Sequence, residues 1–226
     1  MHDMANNNFS FVQSAPSAVS ANKVLKNTYL LLAATLGFSA LTAMLSIALA
    51  MPSWTYLASV IVAMVLGMFV LPRTANSSAG IGVIFLITGL MGFGLGSILS
   101  MYLALPNGPQ TVGLAFGGTA AIFLGLSGYA LSSKRDFSFM GGFIFAGMMV
   151  VMIAVIANLF LQMPALSLAI SSAIILLMSG FILFDTSRIA RGEETNYIMA
   201  TYGIYLSIFN IFISLLQILG IMGGDE

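Results

Sequence analysis

The sequence predicts an all-α integral membrane protein, a bundle of seven transmembrane helices, and three observations carry that reading. Only 6% of its 226 residues are charged while 59% are hydrophobic, against about a quarter charged in a soluble domain. So sparse a polar set cannot cover a water-facing surface of this size. The apolar residues gather into segments close to the ~20-residue length that a spanning helix needs. Those segments are too long, and too apolar on every side, for the alternating strands of about ten residues that build a barrel. Helices are the remaining way to satisfy each backbone hydrogen bond in lipid.

Taken in order, the first segment runs from about Asn27 to Ala50 and stops at Met51-Pro52. The second starts near Trp54, a residue type suited to the membrane interface, and ends at Leu71-Pro72. The third covers Gly80 to Leu103 and is closed by the turn Pro106-Asn107-Gly108-Pro109. A fourth spans Thr111 to Leu131 and a fifth Phe139 to Leu161. The sixth begins after Pro164 and reaches Asp185 or slightly beyond, and the seventh covers Ile198 to Gly220. Every connection is short, so residues 23–226 form one membrane domain. Residues 1–22 are polar, with Asp3 their one charged side chain and an Asn6-Asn7-Asn8 run. They lack the basic and apolar regions of a secretory signal peptide, and their composition predicts a disordered tail.

Orientation follows from the basic residues. Lys23 and Lys26 precede helix one, Arg73 lies between two and three, Lys134 and Arg135 between four and five, and Arg188 and Arg191 between six and seven. All fall on one side of the map, which the positive-inside rule makes cytoplasmic. The tail is then cytoplasmic, and an odd helix count puts Asp225 and Glu226 on the outer side.

The chemical inventory is small. Net charge is zero and there is no cysteine, which argues against nucleic-acid binding and excludes disulfides and thiolate chemistry. A serine or zinc intramembrane protease needs an embedded histidine, yet the one histidine is His2 in the tail. An aspartyl protease needs two carboxylates sharing a proton, and Asp185 is the single acid inside a span. The sequence therefore predicts a protein that is not an enzyme and carries no cofactor. Gly92, Gly94 and Gly96 superficially suggest a phosphate loop, but they sit in an apolar span with no strand and no lysine. Gly113, Gly117 and Gly125, with Gly141, Gly142 and Gly147, read as sites of close helix packing.

Asp185 is the informative residue, because a carboxylate within a membrane segment is expensive and is a functional candidate by default. Arg188, one turn later, is placed to pair with it. On helix seven Ser207, Asn210, Ser214 and Gln217 recur every three or four residues, forming one polar stripe. Asp185 is expected to reach Ser207 or Asn210 inside the bundle. Such a stripe serves equally as interhelical glue or as part of a gate.

The stretch Phe184-Asp185-Thr186, then Tyr197-Ile198, then Leu206-Ser207-Ile208-Phe209-Asn210-Ile211-Phe212 with Leu215-Leu216, resembles the C-terminal signature of the Bax inhibitor-1 family. The segment from Lys134-Arg135-Asp136 to Gly141-Gly142 is similar to that family's loop between helices four and five, and Lys23 to Tyr29 to its start. The similarity covers nearly everything after the tail and implies the Bax inhibitor-1 fold. It is closest to the bacterial branch that modulates the membrane-anchored AAA protease FtsH, which implies FtsH as partner and the inner membrane as location. The alternative implied by the family is a pH-sensitive calcium or proton leak. In channel-type members two aspartates on the last core helices hold the pore closed. Asp185 matches the first, while Ser207 stands at the second. Two close carboxylates raise each other's apparent pKa, and an Asp–Ser pair has no such coupling. The candidate site for ion or pH sensing is therefore Asp185 with Arg188, Ser207 and Asn210, with calcium possible at Asp185 alone.

Overall fold

A computed structural model describes residues 18–133 and 135–223. Seven helices are long and apolar enough to cross a membrane: α1 (Ala18–Ala48), α2 (Trp54–Thr74), α3 (Ala79–Leu103), α4 (Gly108–Ser133), α5 (Met140–Leu161), α6 (Pro164–Ala190) and α7 (Tyr197–Met222). Among the described residues there is no strand. Each expected segment has its helix.

Two ends differ from expectation. Helix α1 begins at Ala18 rather than near Asn27, so residues 18–22 are helical, while the rest of the expected tail lies outside the described residues. Hydropathy marks where lipid begins; the Ala- and Lys-bearing turns before it continue the helix because those residues favour it. Helix α2 does not stop before Pro72. Its segment Leu66–Val70 is π-helical, and Leu71–Thr74 resumes the α-helix with Pro72 in its first positions. The wider turn lets the Leu71 N–H reach the Leu66 carbonyl. Beyond it the Arg73 guanidinium donates to the Phe69 carbonyl and the Thr74 hydroxyl to the Val70 carbonyl at 2.9 Å. These side chains add hydrogen bonds to the carbonyls of the turn that contains Pro72, which supplies no N–H of its own.

Helices α3 and α7 form the interior. Helix α3 packs on α1 and α2, and α7 on α6, α4 and α1, with the two in contact. Tyr205 of α7, 1% exposed, ties three helices together. Its hydroxyl shares a 2.7 Å hydrogen bond with Ser39 of α1 and donates to the Thr88 carbonyl of α3 at 3.3 Å. Helix α5 is peripheral: its buried residues are Ile144 and Val151, and Phe143, Phe145 and Phe160 are exposed to lipid.

The glycines divide in a way the sequence does not foretell. Gly92 and Gly96 of α3 lie against α1, where a Cβ would come within 2.2 Å of the Ser39 carbonyl oxygen and 2.3 Å of that of Ala43. Gly94 lies against Ser59 of α2. Gly141 and Gly147 of α5 meet Phe184 and Leu177 of α6, as expected of packing glycines. Gly113, Gly117 and Gly125 do not: nothing lies within 4 Å of where their Cβ would stand. They face outward because the inner face of α4 is built from Thr111, Ala115, Thr119, Ser127 and Ala130. Gly142 is likewise open.

Candidate functional site

Helices α6 and α7 run antiparallel, and two contacts fix their register. Gln217 accepts a 2.8 Å hydrogen bond from Ser171. At the other end the Asp185 carboxylate lies against Gly203, whose missing side chain leaves it room: a Cβ there would come within 2.5 Å of Oδ2. Asp185 follows Ser171 by as many residues as Gln217 follows Gly203, so the register is constant over a seam of about 21 Å at 1.5 Å per residue. At its Ser171 end, Gln217 borders a cleft of about 150 Å³ between Tyr56, Ile98, Tyr102, Ile213 and Leu216.

That register explains what the polar stripe does. It sets Met178 of α6 level with Asn210 and Phe181 level with Ser207, with the buried Ile182 one residue on, so the stripe faces apolar side chains. With no acceptor opposite them, the polar groups turn back on their own helix. Ser207 donates to the Gly203 carbonyl at 3.0 Å and Asn210 to the Leu206 carbonyl at 2.8 Å. The expected bond from Asp185 to Ser207 or Asn210 is therefore not made; the carboxylate sits one turn away, at Gly203. The expected pairing with Arg188 is not made either. Arg188 turns toward Glu193 and Glu194, each at 3.9 Å, and its guanidinium lies 5.3 Å above the Phe184 ring. Among the described residues Asp185 has no hydrogen-bond or ion-pair partner, and no three His, Cys, Asp or Glu side chains converge as metal ligands. A cation entering the seam would meet the Asp185 carboxylate, with that of Glu194 near enough to act through its charge.

Beside Asp185 lies a polar chain that spacing along one helix could not reveal. The Tyr29 hydroxyl of α1 donates to Ser127 of α4 at 2.9 Å, and Ser127 lies 3.4 Å from the hydroxyl of Thr186 of α6. Each helix supplies one residue, so only the folded bundle assembles it.

The connection from α6 to α7 closes this end. Arg191 forms an ion pair with Asp136 at 2.7 Å, donates to Ser138 at 2.8 Å and meets Glu193 at 2.8 Å. Asn196 caps α7 by accepting from the Ile198 and Met199 amides. It also donates to the Ala75 carbonyl at 3.1 Å and to Asn76 at 2.8 Å. Three loops are thereby clasped together, which gathers Arg73, Arg135, Arg188 and Arg191 at one end as the charge pattern predicts. Hydrogen bonding from Ser138, with Arg191 beside it, holds the Asp136 carboxyl below its usual range, and the Arg191 hydrogen bond does the same for Glu193. Arg191 is held above its usual value chiefly by its bond to Glu193. Groups with depressed folded values contribute stability above their unfolded pKa and lose it as pH falls through the folded one. The clasp should hold at neutral pH and loosen only below about pH 4. Arg191→Ala should make residues 135–139 cleavable by added protease at pH 7, with wild type cleaved there only after acidification.

The family model described as inhibitor of apoptosis-promoting Bax1 matches residues 21–224. A relative from Escherichia coli K12, named modulator of FtsH protease YccA, is 49% identical over 209 residues, covering 92% of this chain and 94% of its own. An uncharacterized membrane protein of Vibrio cholerae is 49% identical over 218 residues, covering 96% and 98%. A Pseudomonas aeruginosa protein is 48% identical over 203 residues, covering 90% and 91%.

Proposed function

The chain belongs to the Bax inhibitor-1 family, and on that premise we propose that it binds and modulates an FtsH-type membrane protease in a bacterial inner membrane. The observation that carries this is the 49% identity, along nearly the whole of both chains, to a relative named for that modulation. The chemical inventory supports a protein that works by binding, since Asp185 is the one acid within a span and the one histidine is His2. The proposed topology puts the N-terminus and the clasped loops in the cytoplasm and the C-terminus in the periplasm. Residues 1–17 then form a polar segment on the side where an ATP-driven protease takes hold of its substrates. The test is capture of FtsH by the tagged chain from solubilised membranes, with a second form lacking residues 2–17. Capture by both forms, with the shortened one escaping turnover, supports binding through the helices and engagement through the tail; no capture by either defeats the reading.

A second reading, a calcium or proton leak, is favoured by one observation: the Asp185 carboxylate lies inside the bundle unpartnered among the described residues, at the head of the polar face of α7.

A further inference from the structure

The cations at the clasped end fall into two sets. Arg188 and Arg191 are committed to Asp136, Glu193 and Glu194. Those three are the described acids of that end outside the spans, so internal pairing consumes them. Lys23, Lys26, Arg73 and Arg135 are left with no acidic partner among the described residues, and all four are exposed. Arg135 lies in the loop between α4 and α5, while Lys23, Lys26 and Arg73 stand on helices.

Their placement is not that of a water-facing surface. On α1, Lys23 and Lys26 head the stripe that continues through exposed Leu30, Leu41 and Met44, opposite the buried Thr28, Leu32 and Thr35. That stripe faces lipid. On α2, Arg73 continues the exposed Val65 and Phe69 at four-residue steps. Depth agrees. From Lys26 to Ala48 the helix rises about 33 Å, and from Trp54 to Arg73 about 28 Å, each close to the ~30 Å thickness of the hydrocarbon core. Lys26 and Arg73 therefore stand where phospholipid phosphates lie, and Lys23 one turn beyond. The lysine ammonium groups bring three donors each. Arg73 spends one donor on the Phe69 carbonyl and keeps the others free.

We propose that Lys23 and Lys26 on α1, and Arg73 on α2, bind the headgroup phosphates of anionic phospholipids, so that this protein selects such lipids on the two faces flanking α3. The selectivity comes from charge the protein leaves unneutralised at phosphate depth. It is independent of the protease reading, because it concerns the lipid shell of the isolated chain.

The experiment uses the purified full chain in bilayers containing equal parts phosphatidylcholine and phosphatidylglycerol, with spin-labelled versions of each lipid reporting which one contacts the protein. Wild type should prefer phosphatidylglycerol by about fivefold or more, the effect expected of a single cation near an anionic surface, and added salt should shrink that preference. Lys23→Gln/Lys26→Gln/Arg73→Gln should bring it close to one; the orientation signal survives in Lys134, Arg135, Arg188 and Arg191. Lys23→Arg/Lys26→Arg should retain it, which separates charge from misfolding. Equal contact of both lipids with wild type overturns the proposal, as does a triple variant that keeps the preference. Loss of the preference on adding inorganic phosphate, at an ionic strength matched with chloride, overturns it too, since the site would then take a free anion.

Discussion

Gly92→Leu should unfold the protein or cost it about 3 kcal/mol or more, above the 1–3 kcal/mol usual for overpacking a core. A Cβ at this position would approach the Ser39 carbonyl oxygen to 2.2 Å, the Thr42 hydroxyl to 2.5 Å and the Ser39 hydroxyl to 2.6 Å. A flexible side chain can move away from an intruder, but a helix backbone cannot without separating α1 from α3. The two helices share their longest contact, and the Ser39–Tyr205 bond that ties α7 to α1 lies at the same level. Separation would therefore also break the link to the central helix. Gly117→Leu is the control: with open space around that position, its cost should stay within about 0.5 kcal/mol. Thermal unfolding in detergent, read by retention of a monodisperse peak, compares the two. Equal tolerance would mean that α1 and α3 are not in close contact.

Asp185→Asn should leave stability unchanged or raise it slightly, because the amide stays polar and unpartnered but no longer places a charge inside the bundle. The substitution keeps the shape and removes the charge. A loss of stability would show that the carboxylate has a partner that holds the bundle together. Gly203→Val probes the same contact from α7, because its Cβ would fall 2.5 Å from Oδ2. It should destabilise wild type clearly and an Asp185→Ala background less, the coupling expected of residues in contact. If the carboxylate serves an ion path, Asp185→Asn also changes calcium flux into liposomes across pH 5 to 8, while Ser207→Ala, whose hydroxyl is spent on its own helix, leaves flux nearly as it was. Flux indifferent to Asp185→Asn removes the leak reading.

The fold was legible because lipid imposes one requirement on every residue of a span, so length and hydropathy alone located all seven helices. Their ends were less legible. Pro72 normally stops a helix, and its accommodation depends on a π-helical turn and on the side chains of Arg73 and Thr74, which hydropathy does not register. At the site, Asp185 stood out as an acid in an apolar span, and the α7 stripe by its period. What each touches depended on the α6–α7 register. That register sets Ser207 and Asn210 against Phe181 and Met178 and leaves Asp185 at a glycine. The loop arginines were read as topology signals. Their pairing is decided by which loops meet at one end, so the sequence alone could not separate clasped cations from free ones. The glycines misled for a related reason: spacing shows that a face is small, but only the neighbours show whether it is covered.

The measurement that tests the central claim most directly is the rate at which purified FtsH degrades a membrane-protein substrate in proteoliposomes, with and without this chain at molar excess. The account predicts slower degradation with the chain present, while the ATPase rate of the protease is maintained. Degradation at the same rate, with the chain confirmed in the same vesicles, would contradict it.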